Sequence, residues 1–426
     1  MIWFFIIFIL LIIVGFPIYF SLAGSSLIYF LLNPNTTMFV FIQKQMNAPN
    51  NFTLIAVPFF ILAANIMNKS GITDRIFKFC NAFVGHYHGG LGYVNVIASM
   101  VFSGMSGAAT ADAGGLGLIE ITAMREAGYD DDFIIGVTAA SSTIGPIIPP
   151  SIPMVIYGVL ANVSVGGLFI GGLIPGILMG ISLCFLVFLY SKKREYPRNE
   201  KVSIKEKFVY FKDGFLSLLM PIIILGGIWG GFFTPTEAAF VSIVYAFLIS
   251  FFVFKTIKVK DIPGLLLDTI RLTAPAIILV AGASIFAWIM IYERVDKLFI
   301  DLVFSITENP YIILLIINAI LFFLGMFIDV TSAIMLVMPI LYPLSMEIGI
   351  HPIHLGIIVV LNLMIGLMTP PVGGLIYILS SVTKIPSHKI TTMVMPWIIP
   401  LVFVLFLVTF IPDIVLFLPR LLGFIQ

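Results

Sequence analysis

The chain has 426 residues, of which 60% are hydrophobic, 14% aromatic and only 10% charged, and its formal net charge is +1. Soluble domains carry about 25% charged residues, so this composition excludes an ordinary soluble protein and predicts a protein of the lipid bilayer. The near-neutral charge also argues against a nucleic acid as a partner.

Apolar stretches of membrane-spanning length follow one another along the chain. Since a transmembrane helix needs about 20 apolar residues, we expect roughly ten full spans plus two re-entrant segments. The first stretch, residues 2–20, has no basic residue before it, and the first Lys or Arg is Lys44. It therefore predicts a membrane span and not a cleavable export signal. The predicted fold class is an all-α polytopic membrane protein.

One apolar region is interrupted at residues 141–150, which contain Gly145 and three prolines. Proline removes a backbone donor and blocks a regular helix, so this segment predicts a broken helix. The Gly-x-x-x-Pro-Pro frame recurs 221 positions later, beginning at Gly366, and the same offset relates Gly104 to Gly325. Two broken segments repeated in two halves are typical of a secondary transporter.

Charged loops indicate how the two halves are oriented. Residues 191–213 hold eight Lys or Arg and are expected in the cytoplasm. Counting spans from there places the mixed, net acidic loop 292–310 outside. The matching loop of the first half, residues 68–78, carries three basic residues and one acidic residue and is expected inside. The repeats are therefore predicted to be inverted, with re-entrant hairpins and both termini periplasmic.

The predicted organisation has four parts. They are N-terminal scaffold helices (1–52), a first inverted repeat with hairpin and broken helix (53–190), a basic cytoplasmic loop with connecting scaffold helices (191–263), and a second such repeat (264–426).

The breaks predict two related sodium sites. Prolines leave carbonyl groups without helical donors, and freed carbonyls together with hydroxyl groups can bind a cation. The first site is predicted at Ser103, Ser106, Gly145 and Ile148. The 221-residue offset predicts the second site at Gly325, Gly366 and Thr369. Thr369 is equivalent to Ile148, so the second site has a hydroxyl group where the first has only backbone.

Two aspartates lie within the broken regions, Asp112 and Asp329. Each begins a helix-like run, so each can cap free N–H groups or can serve an ion or a gate. A proton-coupled transporter more often has several buried carboxylates along its pathway, so sodium is favoured over protons. Helix starts attract anions, and the substrate contacts are predicted at nearby hydroxyl groups. These are Ser141, Ser142, Thr331 and Ser332.

No nucleophile–base pair, phosphate-binding loop or metal motif is evident in the sequence, so we do not expect an enzyme. Cys80 and Cys184 lie 104 positions apart without metal-ligand spacing and are expected to be buried thiols.

A signature between the two halves carries a specific resemblance. Residues 231–239 (Gly-Phe-Phe-Thr-Pro-Thr-Glu-Ala-Ala) resemble a stretch of the large membrane subunit of tripartite ATP-independent periplasmic (TRAP) transporters. Residues 57–65, 103–112, 145–151 and 368–373 are also similar to motifs of that family, and the matches run nearly end to end.

The resemblance implies a sodium-driven importer of organic acids in a bacterial inner membrane, with sialic acid favoured over C4-dicarboxylates. It implies two partners, a small four-helix membrane subunit and a soluble periplasmic binding protein that delivers the substrate. It further implies an elevator-type motion, in which the hairpin regions move against a scaffold. The chain is expected to start directly at the large subunit. A sodium channel or sensor without concentrative transport is the alternative from another class.

Overall fold

A computed structural model describes residues 2–425, and within that range the protein is helical and contains no strand. The helices of the N-terminal part are α1 (Ile2–Ile13), α2 (Ile18–Leu32), α3 (Met38–Asn47), α4 (Ala56–Lys69) and α5 (Ile72–Val84). The first repeat contains α6 (Gly90–Ser106), α7 (Ala109–Gly114), α8 (Leu116–Glu126), α9 (Asp131–Ser142), α10 (Ile152–Ala161) and α11 (Val165–Arg194).

The second half follows the same order. Its first helices are α12 (Ile204–Trp229), α13 (Pro235–Leu248), α14 (Ile262–Tyr292) and α15 (Val295–Ile306). The remaining α-helices are α16 (Pro310–Gly325), α17 (Val330–Glu347), α18 (Pro352–Leu367), α19 (Gly374–Thr383), α20 (Ser387–Phe410) and α21 (Asp413–Leu421). Short 3-10 helices occur at Ala48–Asn50, Phe52–Ile55 and Val259–Asp261, and a π-helical turn at Ile249–Val253.

Seven helices in the described part of the chain are long and apolar enough to cross a membrane, and seven further apolar helices have 10–17 residues. The sequence predicts roughly ten full spans plus two re-entrant segments, which is more than the seven helices that have the length and composition of a span. The breaks divide apolar stretches into half-helices that are too short to span alone. The first predicted span, residues 2–20, is itself divided, because Gly15 takes a positive φ of 94° and Pro17 follows before α2 begins.

The helix boundaries repeat at the offset found in the sequence. Shifted by 221 residues, α6 coincides with α16, α9 with α18, α10 with α19 and α11 with α20, each to within a few residues. The pair α7–α8 coincides with the single helix α17. The first repeat breaks there at Gly114 and Gly115, where the second repeat has Met335 and Leu336. Glycine weakens a helix, which explains why only the first copy is divided.

Equivalent helices of the two repeats pack against each other in a reciprocal way. We call α6–α8 hairpin one, α9–α10 broken helix one, α16–α17 hairpin two and α18–α19 broken helix two. Helix α7 of hairpin one packs against α19, and α17 of hairpin two packs against α10. Likewise α9 packs against α20 and α11 against α18. Such reciprocal contacts are those of a pseudo-two-fold axis between the repeats.

Helices α1–α5 and α12–α15 form an outer group, whereas α21 packs against α11 and α18 of the repeats. Helix α4 packs against α13 and α14, α2 against α14, and α5 against α12. Arg75 of α5 pairs with Asp213 of α12 and lies 4.0 Å over the ring of Phe254. The Tyr29 hydroxyl contacts Glu293 at the end of α14. Side-chain contacts over long sequence separations therefore join the N-terminal helices to those before the second repeat.

An ion cluster joins the end of α11 to the start of α9. Arg194 donates two hydrogen bonds to the two carboxylate oxygens of Asp132, at 2.7 and 2.6 Å, and one of 2.9 Å to Asp130. The Tyr196 hydroxyl also donates to Asp130, at 2.8 Å. A two-pronged guanidinium–carboxylate pair is among the stronger ion pairs of proteins, so this cluster fixes α11 against broken helix one.

Replacing Arg194 with alanine should therefore destabilise the protein by about 1 kcal/mol, since the pair is partly exposed and solvent screens it. Thermal unfolding of the purified protein measures the loss. Lys192→Ala is the matched control, because Lys192 lies on the same helix end, is exposed and forms no ion pair in the described structure. An equal loss in the two variants would contradict a stabilising role for the cluster.

Candidate functional site

The breaks of the two repeats surround a cavity of about 460 Å³. Its walls come from the tip of hairpin one, the start of α10, the start of α17 and the outer helices α4 and α14. Most of the lining is apolar. The polar side chains that line it are Asn65, Asn68, Ser106, Thr110, Asp329 and Thr331.

Two helices of more than two turns begin at this cavity. Helix α10 starts with Ile152 and Pro153 in the lining, and its N-cap Ser151 accepts a 3.2 Å hydrogen bond from the N–H of Met154. Helix α17 starts after its N-cap Asp329, whose carboxylate accepts from the N–H groups of Thr331 (3.0 Å) and Ser332 (3.2 Å). The partial positive charge of a helix start favours anionic groups, so this geometry suits an organic anion.

Each hairpin tip is bonded to the broken helix of its own repeat. The N–H of Ile152 donates to the carbonyl of Gly107 at 3.4 Å, and that of Gly373 donates to the carbonyl of Met326 at 3.1 Å. Ile152 and Gly373 are 221 positions apart. The two copies thus bring a helix end and a proline break together in the same way.

The first predicted sodium site contains polar atoms without partners. The Ser106 hydroxyl is buried and has no hydrogen bond, and no backbone N–H among the described residues donates to the carbonyls of Gly145 and Ile148. The Ser103 hydroxyl donates to Ser99 O at 2.6 Å, which leaves its oxygen free to accept. All four residues are buried. Hard oxygen atoms of this kind fit a small alkali cation.

The second predicted site is built around a close approach of two glycines. A Cβ added to Gly366 would lie 2.6 Å from the Cα of Gly325, so the end of α16 touches the end of α18. Thr369 is buried, and its hydroxyl donates to Ile365 O at 2.8 Å. The Gly366 carbonyl accepts from the Thr369 N–H at 2.9 Å and keeps a second lone pair. These oxygens also fit a cation, with fewer unpaired groups than in the first site.

Comparison with known proteins agrees with this architecture. Residues 5–414 match the family described as "Tripartite ATP-independent periplasmic transporter, DctM component". The chain belongs to this TRAP large-permease family. It is 46% identical over 413 residues to the sialic acid TRAP transporter large permease protein SiaM of Vibrio cholerae, which covers 97% of each chain.

Two further relatives show the range of the family. The chain is 41% identical to the sialic acid TRAP transporter permease protein SiaT of Haemophilus influenzae, over 96% of this chain and 66% of that one. It is 37% identical to the C4-dicarboxylate TRAP transporter large permease protein DctM of Pseudomonas aeruginosa, over 94% and 93%. A crystal structure of the Alcanivorax borkumensis YdaH transporter shares the fold, with a TM-score of 0.65 and 13% identity over 89% of each chain.

The TRAP permease uses its two predicted aspartates differently. Asp329 caps α17, as described above, and also lines the cavity. Asp112 lies inside the short helix α7, whose N-cap is Ala108, and neither of its oxygens accepts a hydrogen bond in the described structure. The capping interpretation of Asp112 is therefore corrected, because the helix begins three residues before the expected start.

The predicted substrate residues divide in the same way. Thr331 lines the cavity, and Ser332 lies beside it with its hydroxyl on Asp329. Ser141 and Ser142 do not line the cavity. Both are buried, and their hydroxyls donate to the Asn95 side chain (2.7 Å) and to Thr138 O (2.7 Å). The prediction that these two serines contact the substrate is corrected. Helix α9 continues through them before the break, so their side chains face the interior of the protein.

Sequence reasoning missed three polar residues that line the cavity and one buried acid of hairpin one. Asn65 and Asn68 line the cavity from α4, and the Asn65 side chain donates a hydrogen bond of 3.1 Å to the Thr269 hydroxyl of α14. Thr110 lines it from hairpin one, and Glu120 is buried on α8 of the same hairpin. The available signal was a polar side chain within an apolar helix, which marks a functional position in a membrane protein.

Proposed function

We propose that this permease is the large membrane subunit of a sodium-coupled importer of an organic acid, with sialic acid the favoured substrate. The observation that carries the proposal is the cavity onto which two helix starts and the breaks of both repeats converge. Two of the similar proteins named above are called sialic acid transporters, and these are the more similar ones at 46% and 41% identity.

The charge of the cavity supports coupling to a cation. Among the described residues that line it, Asp329 is the only charged one, and no Lys or Arg faces the space. An organic anion entering beside Asp329 would be repelled unless a cation accompanied it. Sodium at the two predicted sites would supply positive charge at the ends of α6, α9, α16 and α18. Transport of the anion would then depend on sodium.

The position of the cavity supports an elevator-type motion. One side of it belongs to hairpins and broken helices of the repeats, and the other side to α4 and α14 of the outer group. With the basic loop 191–213 in the cytoplasm, α4 ends and α14 begins at that face. The cavity wall that contains Asn65, Asn68 and Leu272 would then lie toward the cytoplasm, as in an inward-facing state. Moving the repeats against the outer group would expose it on the other side.

The polar lining supports a hydroxyl-rich acid as substrate. Asn65, Asn68, Thr110 and Thr331 offer both donors and acceptors at separate points of the wall. A carboxylate at the start of α10 or α17 would leave the remaining hydroxyl groups of a sugar acid for these side chains. A small dicarboxylate has fewer polar groups that could form hydrogen bonds with these side chains.

The proposal includes two protein partners and a location. The partners are a small four-helix membrane subunit and a soluble periplasmic binding protein, and the complex would lie in the bacterial inner membrane. Both termini of this chain would be periplasmic. The relatives of the same family support this assembly.

Uptake into proteoliposomes tests the proposal. The permease and its small subunit are reconstituted, the binding protein and labelled sialic acid are added outside, and an inward sodium gradient is present or absent. Accumulation that needs both sodium and the binding protein is expected. Sodium-driven accumulation of a C4-dicarboxylate instead would replace the substrate and keep the mechanism. Sodium flux without accumulation of any organic acid would favour a channel.

A further inference from the structure

Hairpin one contains two buried acids that the sodium sites do not use. Asp112 lies on α7 and Glu120 on α8, and each is only 1% exposed. Neither oxygen of either carboxyl group has a hydrogen-bond partner within the described residues. Ion pairs of both groups with Lys, Arg or His are likewise absent from that part of the chain.

The groups that face these acids come from the helices packed around hairpin one. Asp112 is faced by the hydroxyls of Ser99 on α6 and Ser142 on α9. Among the described residues, Asp112 and the Cys80 thiol on α5 are the titratable groups that interact electrostatically with Glu120. The Ser99 hydroxyl is itself 1% exposed and has no hydrogen-bond partner within the described residues.

The second repeat shows that the fold does not need acids at these places. Positions 221 residues later are Ala333 and Leu341, which are 0% and 2% exposed. Hairpin two thus packs the same positions with apolar side chains. The acids of hairpin one add a property that packing alone does not require.

Two negative charges cannot remain uncompensated in such surroundings. A buried carboxylate without a partner either binds a cation or takes up a proton. A small metal cation needs several oxygens around it, whereas neither carboxylate oxygen of Glu120 has a hydrogen-bonding neighbour among the described residues. Groups of three or more acidic, His or Cys side chains that could hold a metal are also absent from the described residues. A proton needs a single lone pair.

We propose that hairpin one binds protons at Asp112 and Glu120, at a place separate from both sodium sites. A proton taken from water adds to a carboxylate oxygen, and the charge of the group changes from −1 to 0. The neutral form is the one in which hairpin one moves, because a charged acid resists transfer through the apolar interior. The unpaired Ser99 hydroxyl serves as hydrogen-bond partner to Asp112.

Infrared spectroscopy of the permease with its small subunit in lipid tests proton binding directly. Protonated carboxyl groups have a C=O stretch that shifts in heavy water and is distinct from the carboxylate bands. We expect this band at neutral pH, with part of it lost in Glu120→Gln and another part in Asp112→Asn. Glu126→Gln, an exposed acid on the same helix, should leave it unchanged. A spectrum without the band, or one that neither substitution alters, would overturn the proposal. Carboxylate bands of these residues that shift on adding sodium would replace the proton by a metal cation.

Uptake at equal pH on both sides of the membrane tests the functional part. If movement needs the protonated acid, the sodium-driven rate should fall by about tenfold per pH unit once the proton is lost at alkaline pH. The double variant Asp112→Asn with Glu120→Gln should flatten this fall, Glu120→Gln alone should make it less steep, and Glu126→Gln should keep it. A wild-type rate that stays constant to alkaline pH would overturn the role in movement. The infrared result does not depend on transport, so failure of sodium-driven uptake can be distinguished from failure of proton binding.

Discussion

Gly366→Ala is expected to lower sodium-driven uptake more than any other single methyl addition at the breaks. The new Cβ would lie 2.6 Å from the Cα of Gly325 and 2.7 Å from its carbonyl carbon, closer than real Cβ contacts occur. Both neighbours are backbone atoms, so no side-chain rotation can relieve the clash. Overpacking of this kind costs about 1–3 kcal/mol, and the ends of α16 and α18 would have to separate.

The measurement is the sodium dependence of sialic acid uptake in the reconstituted complex. A separation of the two helix ends should weaken sodium activation by about tenfold or more. Gly145→Ala, the equivalent change in the first repeat, should act more weakly, because its nearest atoms are Ser142 O at 3.3 Å and the Ala108 carbonyl carbon at 3.6 Å.

Gly226→Ala is the matched control, since this helical glycine of α12 has no atom within 4 Å of an added Cβ. It should keep wild-type uptake. A folded Gly366→Ala permease with unchanged sodium activation would contradict the placement of a cation between α16 and α18.

The broken architecture could be predicted because glycine and proline act locally. The Gly-x-x-x-Pro-Pro frames at residues 145–150 and 366–371 determine where α9 and α18 end, whatever surrounds them. The common offset of 221 residues then relates the remaining helix boundaries of the two copies. The same local reasoning could have divided the first apolar stretch, because Gly15 and Pro17 stand within it.

The direction of individual side chains could not be predicted in the same way. The helical periodicity that relates the directions of side chains stops at a break, so the sequence does not tell whether Ser141 or Thr331 faces the cavity. The structure shows that α9 continues to Ser142 and buries both of its last serines, whereas Thr331 lies in the first turn of α17 at the cavity wall. Glu120 was missed for a related reason. It stands near Arg125 and Glu126, so it resembles part of a solvated helix end until tertiary packing shows it buried.

Asp329→Asn should separate the two roles that the sequence left open for this residue. The carboxylate accepts hydrogen bonds from the N–H groups of Thr331 and Ser332, and an asparagine oxygen can accept the same bonds. The asparagine variant should therefore keep the thermal stability of the wild type. Asp329→Ala lacks the cap and should lose about 1 kcal/mol.

Uptake should follow the charge and not the cap. Asp329 is the only charged side chain among the described residues of the cavity wall, so its removal weakens the negative potential that attracts sodium to the predicted site at the end of α16. A charged partner is worth about 1.5–3 kcal/mol, which corresponds to at least a tenfold loss of sodium-driven uptake in Asp329→Asn. Asp301→Asn, an exposed acid on α15 without an ion pair in the described structure, is the control and should transport normally. If Asp329→Asn transports like the wild type while Asp329→Ala does not, Asp329 acts only as a cap. The repulsion between this carboxylate and the substrate would then no longer support cation coupling at the cavity.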